Sequence, residues 1–171
     1  VGTDGRFTGA ITHLGYPLFF KEDCVHKIYP SASGAHQVVT INCRGVQRGS
    51  ERSLAIVNEV LYYKSRTDVC AFDGSLPQTV STALGNEHFS DAHAGSCGDK
   101  YYVSMKNEHG EWNLFAYDVL KSIWIKEDGA QATAFTEKSN DLYMLTADGR
   151  VLTIKGTAGT PETASTEWYA E

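Results

Sequence analysis

The chain has 171 residues, 42% of them hydrophobic and 21% charged, with a formal net charge of −6. That content supports a buried core and excludes a disordered tail. The acidic balance argues against general nucleic-acid binding, which runs on excess Lys and Arg, and no apolar run approaches the ~20 residues of a membrane-crossing helix. The chain opens Val1-Gly2-Thr3-Asp4 with no Met, basic n-region or apolar leader, so a piece of a longer protein is expected.

In chain order the strand signals fall into four similar units. Runs of Val, Ile, Tyr, Phe, Trp and Thr bounded by Gly, Asp, Asn or Pro predict strands over 10–14, 18–21, 25–29 and 37–42 in the first. The second reads 54–57, 60–64, 69–72 and 78–83, and the third 92–96, 101–105, 112–117 and 122–126. The fourth reads 132–136, 142–145, 151–154 and 162–168. Aromatic-rich doublets mark the second strand of each unit: Phe19-Phe20, Tyr62-Tyr63, Tyr101-Tyr102 and Leu142-Tyr143, their second members spaced 43, 39 and 41 residues apart. A period near 40 residues is that of a propeller blade. Asp73-Gly74, Asp128-Gly129 and Asp148-Gly149 are hairpin-turn pairs, since Gly takes positive φ freely.

The expected fold is all-β and β-propeller-like, with four repeat units of about four antiparallel strands each. A single domain over 1–171 then has units at about 8–43, 44–85, 86–128 and 129–171. A two-sheet sandwich is the alternative. Four blades is the lower limit for a closed propeller. A closed ring, an arc of a larger one and a half completed by dimerisation all satisfy the pattern, and residues 1–7 are a candidate strand for closing the last blade. Cys24, Cys43, Cys70 and Cys97, spaced 19, 27 and 27 apart, have neither zinc-ribbon spacing nor disulfide-scaffold density, so buried free thiols of a reducing compartment are expected.

The runs LFFKEDCVHKIY (18–29), RGVQRGS (44–50), LYYKSRTDVCAFDG (61–74) and YYVSM (101–105) resemble propeller-bearing structural proteins of tailed bacteriophages and prophages of gut Gram-positive bacteria. The resemblance covers roughly 9–156 and rests on framework residues. It implies a tail or neck component of a virion, made in the bacterial host cytoplasm, with other virion proteins or further copies of itself as partners. It implies no enzyme activity.

No phosphate loop, nucleophile elbow, sialidase box or Trp-Asp blade signature occurs. Glu87, His88, Asp91 and His93 form a cluster whose spacing matches no established metal motif, and His13, His26, His36 and His109 are scattered, so no metal and no cofactor is expected. Glu22-Asp23 and Glu127-Asp128 are adjacent turn carboxylates, whereas glycoside hydrolysis needs two that face each other. Partner binding is expected instead at Arg44, Arg48 and Arg52, which lie between the first two units, and at Trp112 in the long hairpin 107–113. Trp124 and Trp168-Tyr169 are further surface candidates. The function expected is non-enzymatic platform work in protein assembly. A carbohydrate- or peptide-binding module is the alternative, and a glycoside-active enzyme a third.

Overall fold

The computed structural model describes residues 3–154, and these form four antiparallel sheets. Sheet 1 holds β1 (Gly9–His13), β2 (Tyr16–Phe20), β3 (Cys24–Tyr29) and β4 (Gln37–Asn42). Sheet 2 holds β5 (Ala55–Val57), β6 (Val60–Lys64), β7 (Val69–Phe72) and β8 (Gln78–Thr79). Sheet 3 holds β9 (Phe89–Cys97), β10 (Lys100–Asn107), β11 (Trp112–Asp118) and β12 (Ile123–Asp128). Sheet 4 holds β13 (Ala132–Lys138), β14 (Asp141–Thr146) and β15 (Val151–Thr153). Each sheet is a meander in which consecutive strands pair. Two short 3-10 turns, Glu51–Ser53 and Thr82–Leu84, are the helical segments among the described residues, and no helix there is long and apolar enough to cross a membrane.

The first hairpin of every sheet closes through two residues: Leu14-Gly15, Asn58-Glu59, Gly98-Asp99 and Ser139-Asn140. In three of them both residues have positive φ, at 49° and 79°, 48° and 67°, and 55° and 60°. This is the twist-matched turn of tight hairpins. These turns recur at intervals of 44, 40 and 41 residues, and they set the repeat. The aromatic doublets do not hold a constant offset from them. Phe20 follows its turn by five residues, Tyr63 by four, and Tyr102 and Tyr143 by three.

Side chains alternate across a strand, so neighbouring residues face opposite sides of the sheet. The doublets put this to use. Tyr63 and Leu61 of β6 pack with Phe20 and Leu18 of β2, and the Phe20 and Tyr63 rings lie 5.1 Å apart. Tyr62, one residue away, packs on the other side with Tyr101, Val103 and Tyr117, its ring 5.5 Å from that of Tyr101. Tyr102 turns from Tyr101 toward sheet 4 and meets Ala116 and Leu142. Sheets 2 and 3 are therefore buried on both faces, and the core is a series of three layers between four sheets. Phe19 and Tyr143 are the exceptions among the doublets, on the outer faces of the first and last sheets. Phe19 faces away from sheet 2 and stays 40% exposed.

Several expectations shift in detail. The strand predicted over 78–83 is cut to β8 and continues as a 3-10 turn, while β9, β10 and β11 run longer than predicted. Asp128-Gly129 lies at the crossing from sheet 3 to sheet 4 and not in a hairpin. The strand predicted over 162–168 and Trp168-Tyr169 lie outside the described residues. Residues 3–7 do not join the last sheet. They lie on the outer face of sheet 1, where Phe7 packs edge-on against Phe19 at 6.1 Å and the Thr8 amide donates to Phe20 O at 2.8 Å. All four cysteines are free thiols. Burial pushes Cys43 up to about 11, with Cys24 and Cys70 adding to the shift.

Gly45 fits the crossing between sheets 1 and 2 where nothing larger does: an added Cβ would sit 1.8 Å from Lys21 O. Gly45→Ala is expected to cost about 3 kcal/mol in urea unfolding. Gly129→Ala, whose Cβ would meet Trp112 O at 3.4 Å, should cost well under half as much. Equal costs would contradict this packing.

Candidate functional site

Meander topology sends every second turn and every sheet-to-sheet crossing to one end of the sheets. That end gathers the charge. The β2–β3 turn brings Glu22 and Asp23, the 43–54 crossing brings Arg44 and Arg48, and the β6–β7 turn brings Arg66 and Asp68. Two clefts open there and share Thr67. One, of about 430 Å³, is lined by Glu22, Asp23, Asn42, Cys43, Arg44 and Arg66 among others. The other, of about 170 Å³, has Lys64, Asp68, Ser81, Asn86 and Glu87 among its lining.

The three predicted arginines go to three different places. Arg44 Nη1 pairs with Asp68 and donates to Thr79 Oγ1 at 2.6 Å, bracing the crossing against sheet 2. The Arg48 backbone amide donates to Glu22 Oε1 at 3.1 Å, with the side chain exposed. Arg52 Nη1 donates to Thr133 O at 3.0 Å, tying the turn before β5 to β13. They do not form one patch. Trp112 is not at a hairpin tip either. It sits in β11, half-buried, with its ring 6.3 Å from His93. The hairpin is long because its strands are long. Its turn is closed on itself by Asn107, whose Oδ1 accepts from the His109 and Glu111 amides at 3.1 and 2.8 Å. Trp124 is half-buried, stacked 4.9 Å from Tyr117, and its Nε1 donates to Val80 O.

The His88, Asp91 and His93 cluster is dispersed. His88 is exposed, Asp91 pairs with Lys106 at 2.6 Å, and His93 Nδ1 lies 2.8 Å from Ala132 O. Among the described residues no three His, Cys, Asp or Glu side chains converge to hold a metal ion. The carboxylates of the charged end are likewise engaged: Asp23 pairs with Arg66, and Glu22 holds the Arg48 amide. Glu127 is pushed above the usual carboxylate range by burial.

Lys64 is the site residue that spacing did not reveal. It is 1% exposed, and its ammonium donates to Ser65 O at 2.5 Å and Arg66 O at 3.4 Å, capping the β6–β7 turn from inside. Burial pulls its pKa down to about 8, against the opposing pull of Asp68. The available sequence signal was the apolar run Val60-Leu61-Tyr62-Tyr63, which leads directly into this lysine.

No protein-family model and no curated protein matches this chain. The arrangement itself shows what it can do. Its charged groups brace turns against one another, and its clefts are small or shallow and polar-rimmed.

Lysine burial fixes a pH dependence. The unfolded chain keeps its Lys64 proton up to about 10.5, whereas the folded chain releases it near 8. Stability tied to this residue therefore rises as pH climbs from 8 toward 10.5. Urea unfolding at pH 7 and pH 10 is expected to show the wild type gaining on Lys64→Met by roughly 1–3 kcal/mol. A pH-independent difference would contradict the burial argument.

Proposed function

We propose that this chain is a propeller-like structural module that acts by docking other protein surfaces, without a catalytic step, as a tail or neck component of a phage-type virion. The four-unit meander and its stacked sheets, with β9 lying beside both β5 and β13, support a propeller-like arc. The observation that carries the docking reading is the outer face of sheet 4. Ala134, Thr136, Tyr143, Leu145, Val151 and Thr153 share that face by register, and Leu145 and Val151 are 42% and 56% exposed. Its charged groups, Lys138 and Asp141, stand at the turn end. Among the described residues no sheet packs on this face, and an apolar face left open on a β-sheet is a surface for association. The clefts add a second support, since their ionic groups are engaged in bracing the fold.

The test is light scattering on the full chain over a concentration series. A species heavier than the monomer is expected. Val151→Asp with Leu145→Asp should weaken association at least tenfold while leaving the melting temperature within a few degrees. A wild-type chain that stays monomeric throughout, and that binds no component of purified particles, would overturn the reading.

A further inference from the structure

The outer face of sheet 1 differs from that of sheet 4 in being strapped by the chain itself. Residues 3–7 cross it, and two side chains hold them. Lys21 Nζ donates to Thr3 O and, at 3.3 Å, to Asp4 O, with the Phe7 ring centroid 5.2 Å away. His26 of β3 lies beneath the strap and is 1% exposed. Its Nε2 is 3.2 Å from Thr3 Oγ1 and 3.7 Å from Cys24 Sγ, its Nδ1 is 2.9 Å from Thr40 Oγ1, and its ring meets Phe7 edge-on at 5.8 Å.

From these contacts we infer that residues 3–7 form an acid-releasable strap, in which protonation of His26 lifts the strap and bares the Phe19 face of sheet 1. Three features carry this. First, the imidazole is enclosed by the strap, β2, β3 and β4 with no carboxylate bonded to it. The charged or titratable groups there are Lys21 and Cys24 on the side of the ring, Asp4 and Arg6 of the strap, and Tyr16, Lys27 and Tyr29, which cluster on the opposite face of the sheet. The Asp4 contact is made by its backbone carbonyl to Lys21. Second, the nearest charge is an ammonium already using the strap's carbonyls, so a second cation below the same segment is repelled. Third, a neutral ring offers one donor and one acceptor to the two threonine hydroxyls, whereas the charged ring is a donor at both nitrogens. The hydroxyl that donates to the neutral ring must then turn its proton away. Burial first, and Lys21 second, hold His26 below its usual 6.5 while the strap is down. A lifted strap returns it toward 6.5, so the strapped state is favoured above that pH and loses ground as pH falls below it. Strap release stands on these contacts alone. That the bared face then accepts another protein rests on the docking reading.

The experiment is amide exchange by NMR on the full chain at pH 7.5 and pH 5.0, corrected for intrinsic rates, reading the Thr8 amide that donates to Phe20 O. Protection in the wild type should fall about tenfold at pH 5.0, and in His26→Gln, whose amide can meet both threonines without charge, it should not. Equal loss in both proteins, or loss in neither, overturns the strap. Should His26→Gln fold poorly, the wild-type His26 ring decides by its own titration. A midpoint below 6.5 that coincides with Thr8 deprotection sustains the inference, and a midpoint at or above 6.5 with Thr8 still protected defeats it. Light scattering at the two pH values reads docking separately. A strap that opens without any change in mass would count against docking and leave the strap standing.

Discussion

The structure depends on one constraint: a strand between two neighbouring sheets must be apolar on both faces, although its side chains alternate. A single hydrophobic stripe, enough for a sheet with one wet face, would leave one of the two interfaces polar. The paired aromatics of β6 and β10 meet the constraint with adjacent residues. Tyr63 closes the layer with sheet 1 and Tyr62 the layer with sheet 3, and the same division separates Tyr101 from Tyr102. The tyrosines also use their hydroxyls. Tyr63 donates to Arg44 O in the crossing before its sheet, and Tyr101 donates to Ser53 O, so the second strands are tied to the connections as well as to the faces. Burial keeps both hydroxyls protonated, well above the usual tyrosine range.

The ends of the stack follow from the same constraint. Among the described residues a terminal sheet has one face on which no other sheet packs. Sheet 1 covers part of that face with residues 3–7, whose Phe7 packs edge-on against Phe19, the outward-pointing member of its doublet. Sheet 4 keeps Leu145 and Val151 on its open face. The polar work of the molecule is meanwhile concentrated at one end of the strands, where Arg44, Arg66 and Lys64 hold turns and crossings in place. Rigid turns and an exposed apolar face are the two features on which the proposed docking role rests.

Strands and their order were legible in the sequence because β-branched and aromatic runs, bounded by turn residues, carry their own register. The true repeat marker was harder to see. Leu14-Gly15 and Asn58-Glu59 share no residue type, yet both adopt positive φ because the hairpin geometry demands it. The doublets, more conspicuous, slide by up to two residues because what they must satisfy is burial on two faces and not a fixed distance from the turn. The arginine trio looked like a patch because spacing along a chain says nothing of where a crossing bends. Each of the three bonds a different element. Trp112 looked like a loop tip because a long hairpin and a long loop read alike in sequence. Lys64 and the strap were hidden because a basic residue at a strand end and a short polar N-terminal run ordinarily face water.

Double-mutant cycles on the tyrosines test the two-faced packing most directly. Tyr62→Leu and Tyr101→Leu, neighbours across a layer in space though far apart in sequence, are expected to couple by about 1 kcal/mol in urea unfolding. Tyr62→Leu and Tyr63→Leu, adjacent in the chain but on opposite faces, should be additive to within about 0.3 kcal/mol. Coupling between the adjacent pair that exceeds coupling across the layer would contradict the account.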